Sequence, residues 1–115
     1  MNKIRLIVNN ESKRNEKEKF FIKKELQSIL NLYAKMVSNG SWKDYSFTSG
    51  IKEVSFDVYQ RASEKPVLRI LKNLKPRYSN EKYLIKDKNG TILKKSENLN
   101  QLISKTSWNK LKLVK

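Results

Sequence analysis

The sequence predicts an α+β domain in which an antiparallel meander of about five strands packs against one long N-terminal amphipathic helix, with a short C-terminal helix closing the fold. Three observations carry this. Apolar residues recur every three or four positions from Ile22 to Val37, the period of a helix with one apolar face. After Gly40 the period falls to two through several short runs, as in half-buried strands. Those runs are separated by turn-forming sequences such as Ser49-Gly50 and Asp87-Lys88-Asn89-Gly90.

Taken in order, Ile4, Leu6 and Val8 alternate and predict a short strand, and the polar stretch from Asn9 to Lys19 reads as a linker. Residues 1–19 are thus set apart from a single α+β domain over 20–115. The helix begins near Phe20 and carries Ile22, Leu26, Ile29, Leu30, Tyr33, Met36 and Val37 on its apolar side. It stops at Asn39-Gly40, where a left-handed residue is wanted. Tyr45 and Phe47 define the first strand. In the second, Val54, Phe56 and Val58 share one face and Ser55, Asp57 and Tyr59 the other. A polar turn around Ala62 to Lys65 leads, through Pro66, to a third strand from Val67, in which Leu68 and Ile70 oppose Arg69 and Leu71. A basic loop from Asn73 to Asn80 precedes a fourth strand with Tyr83 and Ile85 on one face. The fifth has Ile92 and Lys94 on one face. Ser96 is placed to cap a closing helix with Leu99, Leu102 and Ile103 inward. Trp108, Leu111 and Leu113 then form either a last strand or an extension of that helix.

A chain of 115 residues is the usual size of one domain. Hydrophobic residues make up 37% and charged residues 32%, so the core is small and the surface densely charged. Cysteine and histidine are absent, which removes disulfides, thiolate nucleophiles, imidazole bases and the usual ligands of zinc, haem and iron–sulfur sites. No cofactor or metal is expected. The run from Ile4 to Val8, broken by Arg5, is too short for a secretory or membrane-spanning segment, and the expected location is cytoplasmic. Lys and Arg number 26 against 11 acidic residues, a formal charge of +15 that attracts RNA, DNA or another polyanion. A competing source is A-rich codon bias, which raises Lys, Asn and Ile without selection for a ligand.

Several motifs in order carry a family resemblance: the helix ending Asn39-Gly40, then Trp42-Lys43-Asp44-Tyr45, the strand and turn from Val54 to Pro66, Leu68-Arg69-Ile70, and Gly90-Thr91-Ile92-Leu93-Lys94-Lys95. Together with the closing Leu111-Lys112-Leu113-Val114, this pattern resembles an alphaproteobacterial family of uncharacterised proteins, the domain of unknown function 2794. Two departures stand out. The run from Lys75 to Glu81 replaces a more arginine-rich segment ending in Gly, and Lys95 stands where the pattern suggests Arg. Lysine does not reproduce the planar fork of an arginine contact. The resemblance implies relatives and no reaction.

Two groups of residues are candidates for function. Tyr59, Arg61, Ser63, Glu64 and Arg69, with Lys72, Lys75, Arg77 and Tyr78 of the basic loop, could share one sheet surface. There the arginines would clamp phosphate or carboxylate and the tyrosines would stack a base. The plainer alternative is a polar turn in which Ser63 bonds the backbone and Glu64 pairs with an arginine across the hairpin. Trp42, Asp44 and Tyr45 form a second group, either a protein-recognition patch or a corner that closes helix against sheet. A catalytic role would need Ser63 with a desolvated lysine, or paired carboxylates such as Asp57 and Glu64, and no pocket of that kind is legible. The sequence therefore predicts a non-catalytic module that binds RNA or another polyanion; the alternative is an accessory protein-interaction module acting through the long helix and the Trp42 region. Membrane-surface association ranks lower, because Glu18 and Glu25 interrupt the helix's lysines.

Overall fold

The helix predicted from apolar spacing spans Lys23–Ser38 (α1), three residues later than the pattern suggested. Its start is set by Glu25, whose carboxylate turns back to accept the Ile22 N–H at 2.7 Å. Phe20 and Phe21, read as its first residues, lie before it, and Phe21 is buried in the core. At the other end Gly40 takes φ +83°, its N–H donates to the Val37 carbonyl, and the Ser41 N–H donates to the Met36 carbonyl. This is the left-handed helix stop that Asn39-Gly40 predicts. The structure is a computed structural model and describes residues 19–61 and 65–108. The predicted strand at Lys3 to Val8, the turn residues Ala62, Ser63 and Glu64, and Leu111 to Val114 lie outside the described residues.

Five strands follow: Asp44–Ser49 (β1), Glu53–Tyr59 (β2), Leu68–Asn73 (β3), Tyr83–Asp87 (β4) and Ile92–Ser96 (β5). They form one antiparallel sheet in the order β1-β2-β3-β4-β5, and the helix Leu99–Lys105 (α2) closes the described chain. The α+β meander is as the sequence predicts. Val54, Phe56 and Val58 of β2, Leu68 and Ile70 of β3 and Ile85 of β4 pack with Ile29, Leu32 and Met36 of α1, and all are nearly inaccessible. Neither layer could bury its apolar side alone, so helix and sheet hold each other. Leu99 and Leu102 of α2 complete the same core.

Three local expectations change. The cap of α2 is Asn98, whose side chain accepts the Gln101 N–H at 2.9 Å, while Ser96 instead accepts the Asn98 N–H. Asn98 stands immediately before the helix, where a short acceptor reaches its third N–H. Ile92 and Lys94 do not share a face: Ile92 pairs with Lys86 and Lys94 with Ile85, with a bulge between them, and Leu93 packs against the core. Trp108 neither extends α2, which stops at Lys105, nor enters a described strand. Its indole N–H donates to the Ile103 carbonyl at 2.9 Å. The β4–β5 turn is as predicted, with Gly90 at φ +85° and Asp87 Oδ1 accepting the Asn89 and Thr91 N–H groups.

Candidate polyanion interface

Alternation along β2 and β3 sends Asp57 and Arg69, which are direct cross-strand partners, to the sheet face away from α1. There Asp57 is buried and saturated. Thr48 Oγ1 donates to Oδ2 at 2.6 Å, and Ser55 Oγ at 2.8 Å and Arg69 Nε at 2.9 Å both donate to Oδ1. Arg69 Nη2 also reaches Ser55 Oγ at 3.0 Å. On the same face Tyr59 is partly exposed, its hydroxyl 3.1 Å from Ser46 Oγ. The guanidinium is thus oriented by fixed neighbours and keeps 31% of its side chain accessible.

Lys72, which the sequence places in the basic loop, belongs to β3 and shares the core face of Leu68 and Ile70. It is 1% exposed; its ammonium donates to Glu25 Oε1 at 2.8 Å and to the Phe20 carbonyl at 3.1 Å. The Tyr83 hydroxyl donates to the other carboxylate oxygen. A buried charge of this kind stands only with an ionic partner, so Lys72 is withdrawn from any surface patch. Sequence reasoning missed Glu25 as that partner, although both residues fall on apolar faces by their own periods: Glu25 in step with Ile29, Leu32 and Met36, and Lys72 in step with Leu68 and Ile70.

Arg61 and the basic loop do not adjoin. Arg61 lies beyond the Leu68 end of β3 and Lys75, Arg77 and Tyr78 beyond the Asn73 end, and six residues of strand separate them by roughly 20 Å. At the Asn73 end three chain segments converge. The Leu74 N–H donates to the Lys52 carbonyl in the β1–β2 turn, and Asn73 holds Lys82 and Glu81 through backbone and side chain. The Lys72 bond to Phe20 brings the start of α1 to the same end. Exposed cations are therefore brought to this end by the start of α1 and the residues just before it (Lys19, Lys23, Lys24), the β1–β2 turn (Lys52) and the β3–β4 loop (Lys75, Arg77). Among the described residues the partly exposed acids at this end are Glu53 and Glu81, and Glu81 already has Lys95 at 3.8 Å. Tyr78, next to Arg77 in that loop, is 61% exposed. The sequence singled out Lys75, Arg77 and Tyr78. Lys52 and the helix lysines are separated from them in the chain and carry no local signal of their convergence.

Of the second group, Trp42 is buried and meets the Tyr33 and Trp108 rings, closing the corner after α1. Asp44 is exposed and accepts the Tyr45 N–H at 2.8 Å. Tyr45 is 40% exposed, its ring edge-on to Tyr33 at 4.8 Å. Burial, then the Asp44 charge and Tyr45, push the Tyr33 hydroxyl above its ordinary pKa of 10.0.

Among the described residues no cluster of three or more Asp, Glu, His or Cys is placed to hold a metal ion, and no helix is long and apolar enough to cross a membrane. No curated protein and no solved structure matches the chain. Residues 19–103, from just before α1 into α2, match the family described as "Protein of unknown function (DUF2794)". The match covers the stretch from just before α1 into α2, well over half of the chain, and the chain belongs to that family.

Proposed function

We propose that the protein is a non-catalytic module of the cytoplasm that binds RNA or another polyanion through the Asn73 end of the sheet. The observation that carries the reading is that three chain segments bring exposed Lys and Arg to the Asn73 end of the sheet, where the exposed Tyr78 follows Arg77 in the β3–β4 loop and the partly exposed acids among the described residues are Glu53 and Glu81. Lysines supply compact charges for phosphates, and a free tyrosine face accepts a stacked base without reading its identity. Binding of this kind releases counterions and falls steeply with salt. Arg69, oriented by Asp57 and Ser55, is a secondary anion contact on the neighbouring face. The buried Lys72 serves structure: its ammonium donates to Glu25 and to the Phe20 carbonyl.

The test is titration with single-stranded RNA at rising salt. Reversing Lys75 and Arg77 together to Glu is expected to weaken binding tenfold or more and to flatten the salt slope, since each phosphate contact on a single strand contributes about 0.7 of slope. Reversing Arg61 at the opposite end is expected to change little. Tyr78→Ala removes about 1–3 kcal/mol if a base stacks there. No affinity at low salt, or equal losses from reversal at either end, rejects the reading.

A further inference from the structure

The two edges of the sheet differ in how they are protected. β5 carries Lys94 and Lys95, is broken by the bulge opposite Ile85 and Lys86, and is flanked by α2 and by the 3₁₀ turn at Ser79–Glu81. These are the devices by which natural sheets avoid pairing with other chains. Among the described residues β1 has none of them. Asp44–Ser49 contains no Lys, Arg or Pro and runs in unbroken register with β2 over all six residues.

Its free side is defined by the pairing. The Gly50 N–H donates to the Glu53 carbonyl, and the alternation of antiparallel bonds then turns Thr48, Ser46 and Asp44 toward β2. The backbone groups of Tyr45, Phe47 and Ser49 aim outward. Consistent with this, the Tyr45 N–H is held by the carboxylate of Asp44 and not by β2.

Beside this edge runs a flank of α1 that no described residue fully covers. Ser28, Asn31, Lys35 and Asn39 form the flank turned to α2, where Ser28 Oγ donates to Asn100 Oδ1 at 2.7 Å. Leu26, Leu30, Tyr33 and Val37 recur on the other flank, and the Tyr33 ring meets Tyr45 and Phe56. Leu30, Val37 and Tyr45 each keep 40% of their surface exposed. Among the described residues the outer edge of β1 and the apolar helix flank thus form two walls of one groove.

We infer that this groove takes an extended segment of a partner protein, which adds to β1 as a sixth strand and carries apolar residues at alternate positions with carboxylates at its ends. Main-chain bonds to Phe47 and Ser49 supply affinity. Alternate side chains pack on Leu30 and Tyr45, the usual division of labour in strand addition. The choice of occupant follows from charge. Exposed Lys43 and Lys52 bracket β1, and a second copy of the chain would bring another +15 to the contact, whereas an acidic-ended peptide neutralises it.

A library of peptides about six residues long, apolar at alternate positions with Glu at both ends, tests this on the intact protein by amide exchange and titration. Selected binders are expected to slow exchange at Phe47 and Ser49 tenfold or more. N-methylation of the peptide nitrogens that face β1 should weaken them at least tenfold. Leu30→Lys, at an exposed position, should do the same in a protein with unchanged melting. Salt that abolishes RNA binding should leave the peptide bound, and Lys75→Glu with Arg77→Glu should not affect it. The inference fails if no binder emerges, or if binders tolerate N-methylation or Leu30→Lys. It also fails if RNA displaces them competitively, or if exchange at Phe47 and Ser49 slows with protein concentration alone, which would make a second copy the occupant.

Discussion

Glu25 and Asp57 are both buried carboxylates, and each takes its cation from β3, but they sit on opposite sides of the sheet and in different company. Glu25 lies between helix and sheet with Lys72, whose side chain is 1% exposed; Asp57 lies on the outer face with Arg69, whose side chain is 31% exposed. Three positions separate Lys72 from Arg69, and an odd spacing on a strand puts them on opposite faces. The inner pair joins α1 to β3 across 47 residues of chain and gathers the Tyr83 hydroxyl and the Phe20 carbonyl. The outer carboxylate gathers short hydroxyl donors from the adjoining β1 and from its own strand. The inner pair fixes where the helix starts and how it docks, while the outer one orients a guanidinium whose other side remains accessible. A buried ion pair is costly to break and no guarantee of net stability, so the contrast concerns position more than strength.

Breaking the inner pair should have the largest effect. Glu25→Ala or Lys72→Met leaves one buried charge uncompensated and is expected to cost about 3–5 kcal/mol in denaturant unfolding, a large part of a typical domain's stability. Replacing both with apolar residues of similar volume should recover most of that loss. If the double variant is as unstable as the single ones, the pair is not the unit that the geometry indicates. On the outer face, Asp57→Ala removes acceptors from Thr48, Ser55 and Arg69 together and should cost about 1–3 kcal/mol. Arg69→Ala leaves Asp57 its two hydroxyl donors and should cost about 1 kcal/mol. Equal losses at Arg69 and Lys72 would erase the distinction between the two faces.

The smallest effect comes from Tyr33, outside both networks, and provides a reference for pH. Its hydroxyl is raised above 10.0 in the folded protein, so the unfolded chain loses this proton first. The stability contribution is complete below the ordinary tyrosine value and is lost as pH rises through the raised one. Tyr33→Phe should flatten the alkaline fall in stability and leave the neutral range nearly unchanged. A slope that is the same in wild type and variant would show that Tyr33 does not titrate differently on folding.

Most of the architecture was legible because burial on one side imposes a period on the local sequence. The helix from Ile22 to Val37, the alternation in β2 and β3, and the two glycine-marked turns could each be read within a dozen residues. Exceptions were equally local in cause. Ser96 and Asn98 are both good caps, and only the helix register selects Asn98. The β5 bulge inserts one residue and so reverses the face of everything on one side of it. The candidate site was legible only in part: Lys75, Arg77 and Tyr78 lie together, but Arg61 departs from the other end of the sheet, and Ser63 and Glu64 lie outside the described residues.

By itself, the sequence determined the charge, the absence of thiol and imidazole chemistry, the helix-then-meander order and which side of β2 and β3 faces inward, because composition and periodicity are properties of the chain. Tertiary structure decided which charges remain on the surface. Lys72 and Lys75 are three residues apart in one basic run, yet one is locked to Glu25 beneath the helix and the other stands in solvent at the cationic end. The partner that makes the difference is distant in sequence, and whether an ammonium is neutralised or available depends on what the fold places within a few ångströms of it.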